Sequence, residues 1–236
     1  VGKRNGKADR PVYVDHPRPG NAVDLGSSID YGAAATNIRA VKGEALHQQG
    51  FKGAGIDIAV IDAGFLQLKN NAAFSNVNIL GAKSFVYEND DPYSIDNHGV
   101  WVASCMAVSK PGVYVGTAPE ANYWLLRTED SATEFPVEED YWTSAIEFAD
   151  SVGVNMVNSS LSYSDGYNYL TKKYTADDMD GQTALATRAA NMAFKKGIFI
   201  VNCAGNEQKW VGAPADSPNV LTLGSINKNN VPDYFT

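Results

Sequence analysis

Six apolar runs punctuate the chain after residue 50: Ile56–Ile61, Ile79–Phe85, Tyr123–Leu126, Val154–Val157, Ile198–Val201 and Val220–Leu223. They are continuous rather than alternating, which is the pattern of strands covered on both faces. Stretches with helical spacing lie between them. Glu139–Ser151 sets Trp142, Ile146 and Ala149 on one face, and Thr183–Lys196 does so with Leu185, Ala189, Met192 and Ala193, stopping at Gly197. A short helix is expected over Gly43–Gly50, with Ala45 and Leu46 apolar and a glycine to end it. Strands alternating with helices predict an α/β protein with a mostly parallel sheet. In such sheets function gathers at the carboxyl ends of the strands.

Residues 1 to 30 carry no such period. Asp15-His16-Pro17-Arg18-Pro19-Gly20-Asn21 is loop chemistry, and this stretch is expected to be a tail, linker or propeptide remnant. Residues 31 to 236 are expected to form one domain. The chain opens Val-Gly-Lys-Arg with neither a start methionine nor a signal-peptide pattern, so a processed or trimmed chain is expected. A hydrophobic share of 44% with 19% charged residues reads as globular. The net charge of −8 argues against a nucleic-acid partner, which needs clustered Lys and Arg. No apolar stretch reaches the length of a membrane span. Cys105 and Cys203 read as two small buried hydrophobes or as a disulfide; the first is preferred.

Three motifs carry candidate chemistry. Ala59-Val60-Ile61-Asp62-Ala63-Gly64 ends an apolar strand on an acid. A carboxylate there can orient an imidazole, or it is a turn acid or a nucleotide-binding acid. Asn97-His98-Gly99-Val100-Trp101-Val102-Ala103-Ser104 puts a histidine at a Gly-flanked loop-to-helix junction. It is read as catalytic or structural; no second His or Cys at ligand spacing supports zinc. The other histidines are His16 in the tail and His47, expected on a surface helix. Val201-Asn202-Cys203-Ala204-Gly205-Asn206-Glu207 follows a strand and offers Asn206, whose neutral amide can meet an oxyanion without yielding a proton, or which is simply a turn residue.

Taken in this order, the motifs resemble the subtilase family of serine proteases over roughly residues 45 to 236. The resemblance implies a three-layer subtilisin-like fold and a serine endopeptidase acting through an Asp, His, Ser triad. Asp62 and His98 match its first two members and Asn206 its oxyanion donor. Asn158-Ser159-Ser160-Leu161-Ser162-Tyr163 resembles the stretch that pairs with extended substrate, which makes Ser160, Leu161 and Ser162 the candidate substrate-binding residues. Gly116-Thr117-Ala118-Pro119-Glu120-Ala121 and Val220-Leu221-Thr222-Leu223-Gly224-Ser225 also match family segments. Leu-Leu-Arg-Thr-Glu-Asp and Glu-Phe-Ala-Asp-Ser look most like exported Bacteroidetes members. A secreted, cell-surface or periplasmic location and a polypeptide substrate are implied.

The match has gaps. The family's Gly-Thr-Ser-Xaa-Ala motif is not in this chain, which ends at Asp233-Tyr234-Phe235-Thr236. A trimmed chain, a nicked enzyme and a catalytically dead peptide-binding module are the competing explanations. On the first two, the chain alone is inactive, and a C-terminal remainder of the same protein is its expected partner, covering apolar surface. Val100, Trp101 and Ala63 replace residues usual beside the family's His and Asp. No cofactor is certain: a structural calcium is an open alternative, unsupported at Ser109-Lys110-Pro111-Gly112-Val113-Tyr114, which lacks the calcium-binding wording of subtilisin, while Asp177-Asp178-Met179-Asp180-Gly181 is either a cation site or, preferred, a solvated turn. Glu88, Asp90, Asp91 and Asp96, with Glu129, Asp130, Glu134, Glu138, Glu139 and Asp140, are expected as a solvated acidic rim, or as a surface favouring basic substrates.

Overall fold

The computed structural model describes residues 29–168, 174–206, 209–227 and 229–233. The expected tail therefore lies almost wholly outside the described residues. Among these described residues eight strands form: β1 (Asp57–Asp62), β2 (Asn78–Ser84), β3 (Ser109–Lys110), β4 (Tyr114–Val115), β5 (Asn122–Arg127), β6 (Met156–Ser159), β7 (Phe199–Cys203) and β8 (Val220–Leu223). Five α-helices accompany them among the same described residues: α1 (Ala35–Ala40), α2 (Gly43–Gln48), α3 (His98–Ala107), α4 (Val137–Val152) and α5 (Leu185–Lys196). Six strands make one sheet in the order β2-β5-β1-β6-β7-β8. Every pairing in it is parallel, while β3 and β4 form a small antiparallel pair.

The continuous apolar runs are explained by what covers the sheet. Along β1, Ile58 and Val60 face α3, packing with Phe65, Val100, Ala103 and Ala107. Ala59 and Ile61 face the other way, among Trp142, Ala145 and Ile146 of α4 and Ala189 and Ala193 of α5. The result is three layers, helix on sheet on helix. Each fully buried side chain of Leu or Trp size contributes roughly 1.5–3 kcal/mol relative to exposure. Gly153 and Gly197, both at positive φ, end α4 and α5 by accepting the left-handed turn that a side chain resists.

Several expectations are corrected. Met192 of α5, expected to face inward, is exposed, as is Leu46 of α2. The period placed Met192 at the margin of the apolar face, and α5 rotates its alanines Ala186, Ala189, Ala190 and Ala193 inward instead. His47 is buried rather than at the surface: its ring stacks on Tyr31, meets the Tyr31 hydroxyl at 2.9 Å and the Thr117 carbonyl at 2.9 Å. No disulfide joins Cys105 and Cys203; Cys105 is exposed while Cys203 is half-buried, so neither the disulfide nor the fully buried thiol holds for the pair.

Candidate active site

β1 ends on Asp62 with β5 on one side and β6 on the other, the point where strand order reverses and a crevice opens at the sheet's carboxyl edge. The register fixes what shares that edge. Ile61 pairs with Ser159, and Ser159 pairs with Asn202, so Asp62, Ser160 and Cys203 come next on their respective strands. Adjacent strands are about 4.8 Å apart, which sets β1 and β7 about 10 Å from each other. Ser160, Leu161 and Ser162 run on from β6 half-buried, and Asn206 stands exposed three residues beyond the end of β7. The candidate residues from three strands thus share one edge.

Asp62 is 0% exposed, and His98 opens α3 with its side chain 47% exposed. Their meeting depends on two glycines. A Cβ on Gly64 would lie 2.0 Å from the Ile95 carbonyl oxygen, and one on Gly99 would lie 2.5 Å from the Gly64 carbonyl oxygen and 2.6 Å from the Phe65 ring. With neither side chain present, the Gly99 N–H donates to the Gly64 carbonyl at 3.1 Å and the start of α3 sits against the end of β1. The His98 N–H donates to Asp96 Oδ1 at 2.8 Å, which fixes the first turn. His98 Nδ1 then lies 2.8 Å from Asp62 Oδ1 and 3.0 Å from Oδ2. The carboxylate also accepts the Ala63 N–H at 2.8 Å.

The hydrogen bond to Asp62 raises the His98 pKa above its usual value, outweighing burial, which lowers it. Burial pushes the Asp62 carboxyl up while the His98 bond pulls it down. The direction that matters for the pair is the first: a carboxylate beside an imidazole favours the imidazolium. Burial also pushes the Asp96 carboxyl up, but N–H donors led by His98 prevail and hold it below its ordinary value.

Sequence reasoning missed Arg127. It is 2% exposed, donates Nε to the Ala63 carbonyl at 2.9 Å and pairs with Asp90. It thereby pins the residue following Asp62. An arginine closing an apolar strand, with acids upstream, was the available signal.

The expected acidic rim is divided. Glu138 and Glu139 are both 2% exposed. Glu138 accepts the Asp130 and Phe135 N–H groups at 3.0 Å each. Glu139 accepts the Tyr167 hydroxyl at 2.9 Å and the Ala186 N–H, in the first turn of α5, at 3.1 Å. Glu129 accepts the Tyr163 hydroxyl at 2.6 Å. Acids so engaged offer no free charge to a basic substrate; Glu88, Asp91, Glu134 and Asp140 remain exposed. Asp178 and Asp180 bond to neighbouring Thr175 and Thr183 in local caps. Among the described residues no group of three or more His, Cys, Asp or Glu is placed to hold a metal ion.

Fold and site define a parallel α/β protein with a carboxylate–imidazole pair at the carboxyl edge of its central strand. The chain belongs to the subtilase family, whose model matches residues 53–236. It is 29% identical to subtilisin E of Bacillus subtilis (strain 168) over 222 residues, covering 91% of this chain and 51% of that protein. Subtilisin of Bacillus pumilus is 29% identical over 216 residues, covering 89% of this chain and 68% of it. The chain thus spans about half the length of subtilisin E. Among solved structures, the serine protease MycP1, an essential component of the type VII (ESX-1) secretion system, superposes with a TM-score of 0.65 at 22% identity, covering 90% of this chain and 64% of that one, a likeness of fold. MycP1 with its N-terminal propeptide removed gives 0.62 at 25% identity, covering 86% and 65%. Among the described residues no helix is long and apolar enough to cross a membrane.

Proposed function

We propose that the protein is a serine endopeptidase, with Asp62 and His98 as two members of its triad, Asn206 as oxyanion donor and the nucleophilic serine supplied by a segment outside this chain. The observation that carries the reading is the 2.8 Å contact of His98 Nδ1 with a fully buried Asp62. With Nδ1–H donated to the carboxylate, Nε2 is the nitrogen left to take a proton. In the mechanism, Nε2 accepts the serine hydroxyl proton as the oxygen attacks the scissile carbonyl, then delivers it to the leaving amine. Asp62 holds the tautomer and stabilises the imidazolium. The Asn206 amide and the serine N–H stabilise the tetrahedral oxyanion. An extended polypeptide lies along Ser160, Leu161 and Ser162.

The remainder of the protein has a second task in this reading, to cover apolar side chains beside β8. Leu221 and Leu223 are 46% and 52% exposed there, and subtilisin E is about twice as long as the matched stretch. A place of action outside the cytoplasm goes with this reading, in keeping with the secretion-system role of MycP1. The competing reading is a peptide-binding module without chemistry, which would keep the Ser160–Ser162 segment.

The test uses the full-length protein, a fluorophosphonate probe for an activated serine and an unstructured fluorogenic peptide. Labelling and cleavage are expected, both lost in His98→Ala. Cleavage unchanged in His98→Ala overturns the assignment, and peptide binding without labelling selects the competing module.

A further inference from the structure

The segment after β6 is clamped at one residue. Tyr163 is 2% exposed, and its backbone exchanges both hydrogen bonds with Ala213 at 2.8 Å each. Its hydroxyl reaches the other way, donating to Glu129 Oε1 at 2.6 Å. Glu129 also accepts the Thr128 hydroxyl at 2.8 Å, and the Thr128 N–H donates to the Asp62 carbonyl at 3.1 Å. A short chain of bonds therefore links the end of β1 to the residue following Ser162: Asp62, Thr128, Glu129, Tyr163. The upstream end of the segment is held separately, by Trp142 Nε1 donating to Ser159 Oγ at 3.0 Å.

We propose that Glu129 is a positioning residue: through the Tyr163 hydroxyl it sets the Ser160–Ser162 segment against the Asp62–His98 pair. The proposal rests on the reading that this segment receives the substrate. Burial raises the Glu129 pKa to about 8; Glu138 from α4 and Glu134 from the intervening loop push the same way, while the bonds from Tyr163 and Thr128 oppose. Glu138 is itself raised to about 7, chiefly by burial. From the segment on the far side come tyrosines, Tyr163 and Tyr167, the latter bound to Glu139. Arg127 is turned to Ala63 and Asp90, and Asp130 takes the Tyr87 hydroxyl at 3.1 Å. The packed groups thus supply like charge and hydroxyls.

Because the folded-state pKa lies above the ordinary 4.5, the stabilisation from this carboxyl is full below about 4.5 and is lost as pH rises through about 8.

The experiment measures peptide hydrolysis by the full-length protein at neutral pH. Glu129→Leu removes the acceptor and is expected to raise KM about fivefold, the size of one hydrogen bond, with kcat within about twofold. Glu129→Gln keeps an acceptor for the Tyr163 hydroxyl and is expected to keep the parent KM. Tyr163→Phe raises KM about fivefold. A Glu129→Gln variant with the KM of Glu129→Leu, or a Tyr163→Phe variant with the parent KM, overturns the proposal. Should the parent cleave no peptide, the hydrolase reading falls, and NMR decides the positioning claim. The Ser160–Ser162 amides must then move in Tyr163→Phe and Glu129→Leu and hold in Glu129→Gln; amides that stay in place in all three overturn it.

Discussion

At β1 both faces of the strand are covered and the last residue is wholly buried; at β8 every second residue faces outward, with Leu221 and Leu223 exposed alongside Phe199 of β7 and Met192 and Phe194 of α5. Both strands read alike in sequence, as short apolar runs. The difference lies in what each is given to pack against. β1 has α3 on one face and α4 and α5 on the other. β8 lies at the sheet edge with one neighbouring strand, β7. The carboxyl edge at β1 is set by its own contacts, so the Asp62–His98 pair is formed within the described residues. The edge at β8 carries apolar surface that has no cover among them, the kind of patch that marks a docking surface.

The largest test of this contrast is Gly99→Ala. Its Cβ meets a backbone oxygen at 2.5 Å and the Phe65 ring at 2.6 Å, and neither can step aside without moving β1's end or the start of α3. We expect a loss of about 3 kcal/mol in urea denaturation, with disappearance of the downfield proton of the His98–Asp62 bond. Gly166→Ala, whose Cβ meets nothing within 4 Å, should cost less than about 0.5 kcal/mol. Equal losses at the two glycines would mean that the β1 edge is not held by this close approach.

A smaller effect concerns charge rather than sterics. The His98 pKa is raised, so the pair's contribution to stability is fully present below pH 6.5 and is lost as pH rises through the folded-state value. Activity runs opposite, since a general base must be neutral: it grows as pH rises through that same value. Asp62→Asn removes the charge and should return the His98 titration toward 6.5, followed by NMR of the ring protons. A titration unmoved by Asp62→Asn would show that the carboxylate does not govern the imidazole.

What could be read in the sequence follows the same divide. The strands were legible because burial on both faces leaves continuous apolar runs, yet the expected Val154–Val157 is displaced to Met156–Ser159. Asn158 and Ser159 extend the strand through backbone bonds, and polar residues collect at the carboxyl edge where apolar pattern runs out. The meeting of Asp62 with His98 was legible in kind, from an acid ending a strand and a histidine opening a helix; the glycines that allow it act across a contact no local pattern records. Glu138, Glu139, Arg127 and His47 were illegible as buried groups. Each is polar by type, and its burial depends on a partner distant in the chain or a backbone donor fixed only by the fold. β8 had its boundaries read correctly and its environment misread.

The smallest effect belongs to β8 and is the sharpest test of the contrast. Leu223→Ser removes an apolar side chain that is 52% exposed here. In this chain of 236 residues, the change should move stability by no more than about 0.5 kcal/mol. In the full-length protein, where the proposed remainder covers the strand, the same change should cost about 2 kcal/mol, the value of a buried leucine. Urea midpoints of the two pairs of proteins decide it, because exposed surface is indifferent to the substitution and covered surface is not. A loss of the same small size in both lengths would mean that β8's apolar face stays open in the whole protein. The difference between the two edges would then be a feature of the finished fold.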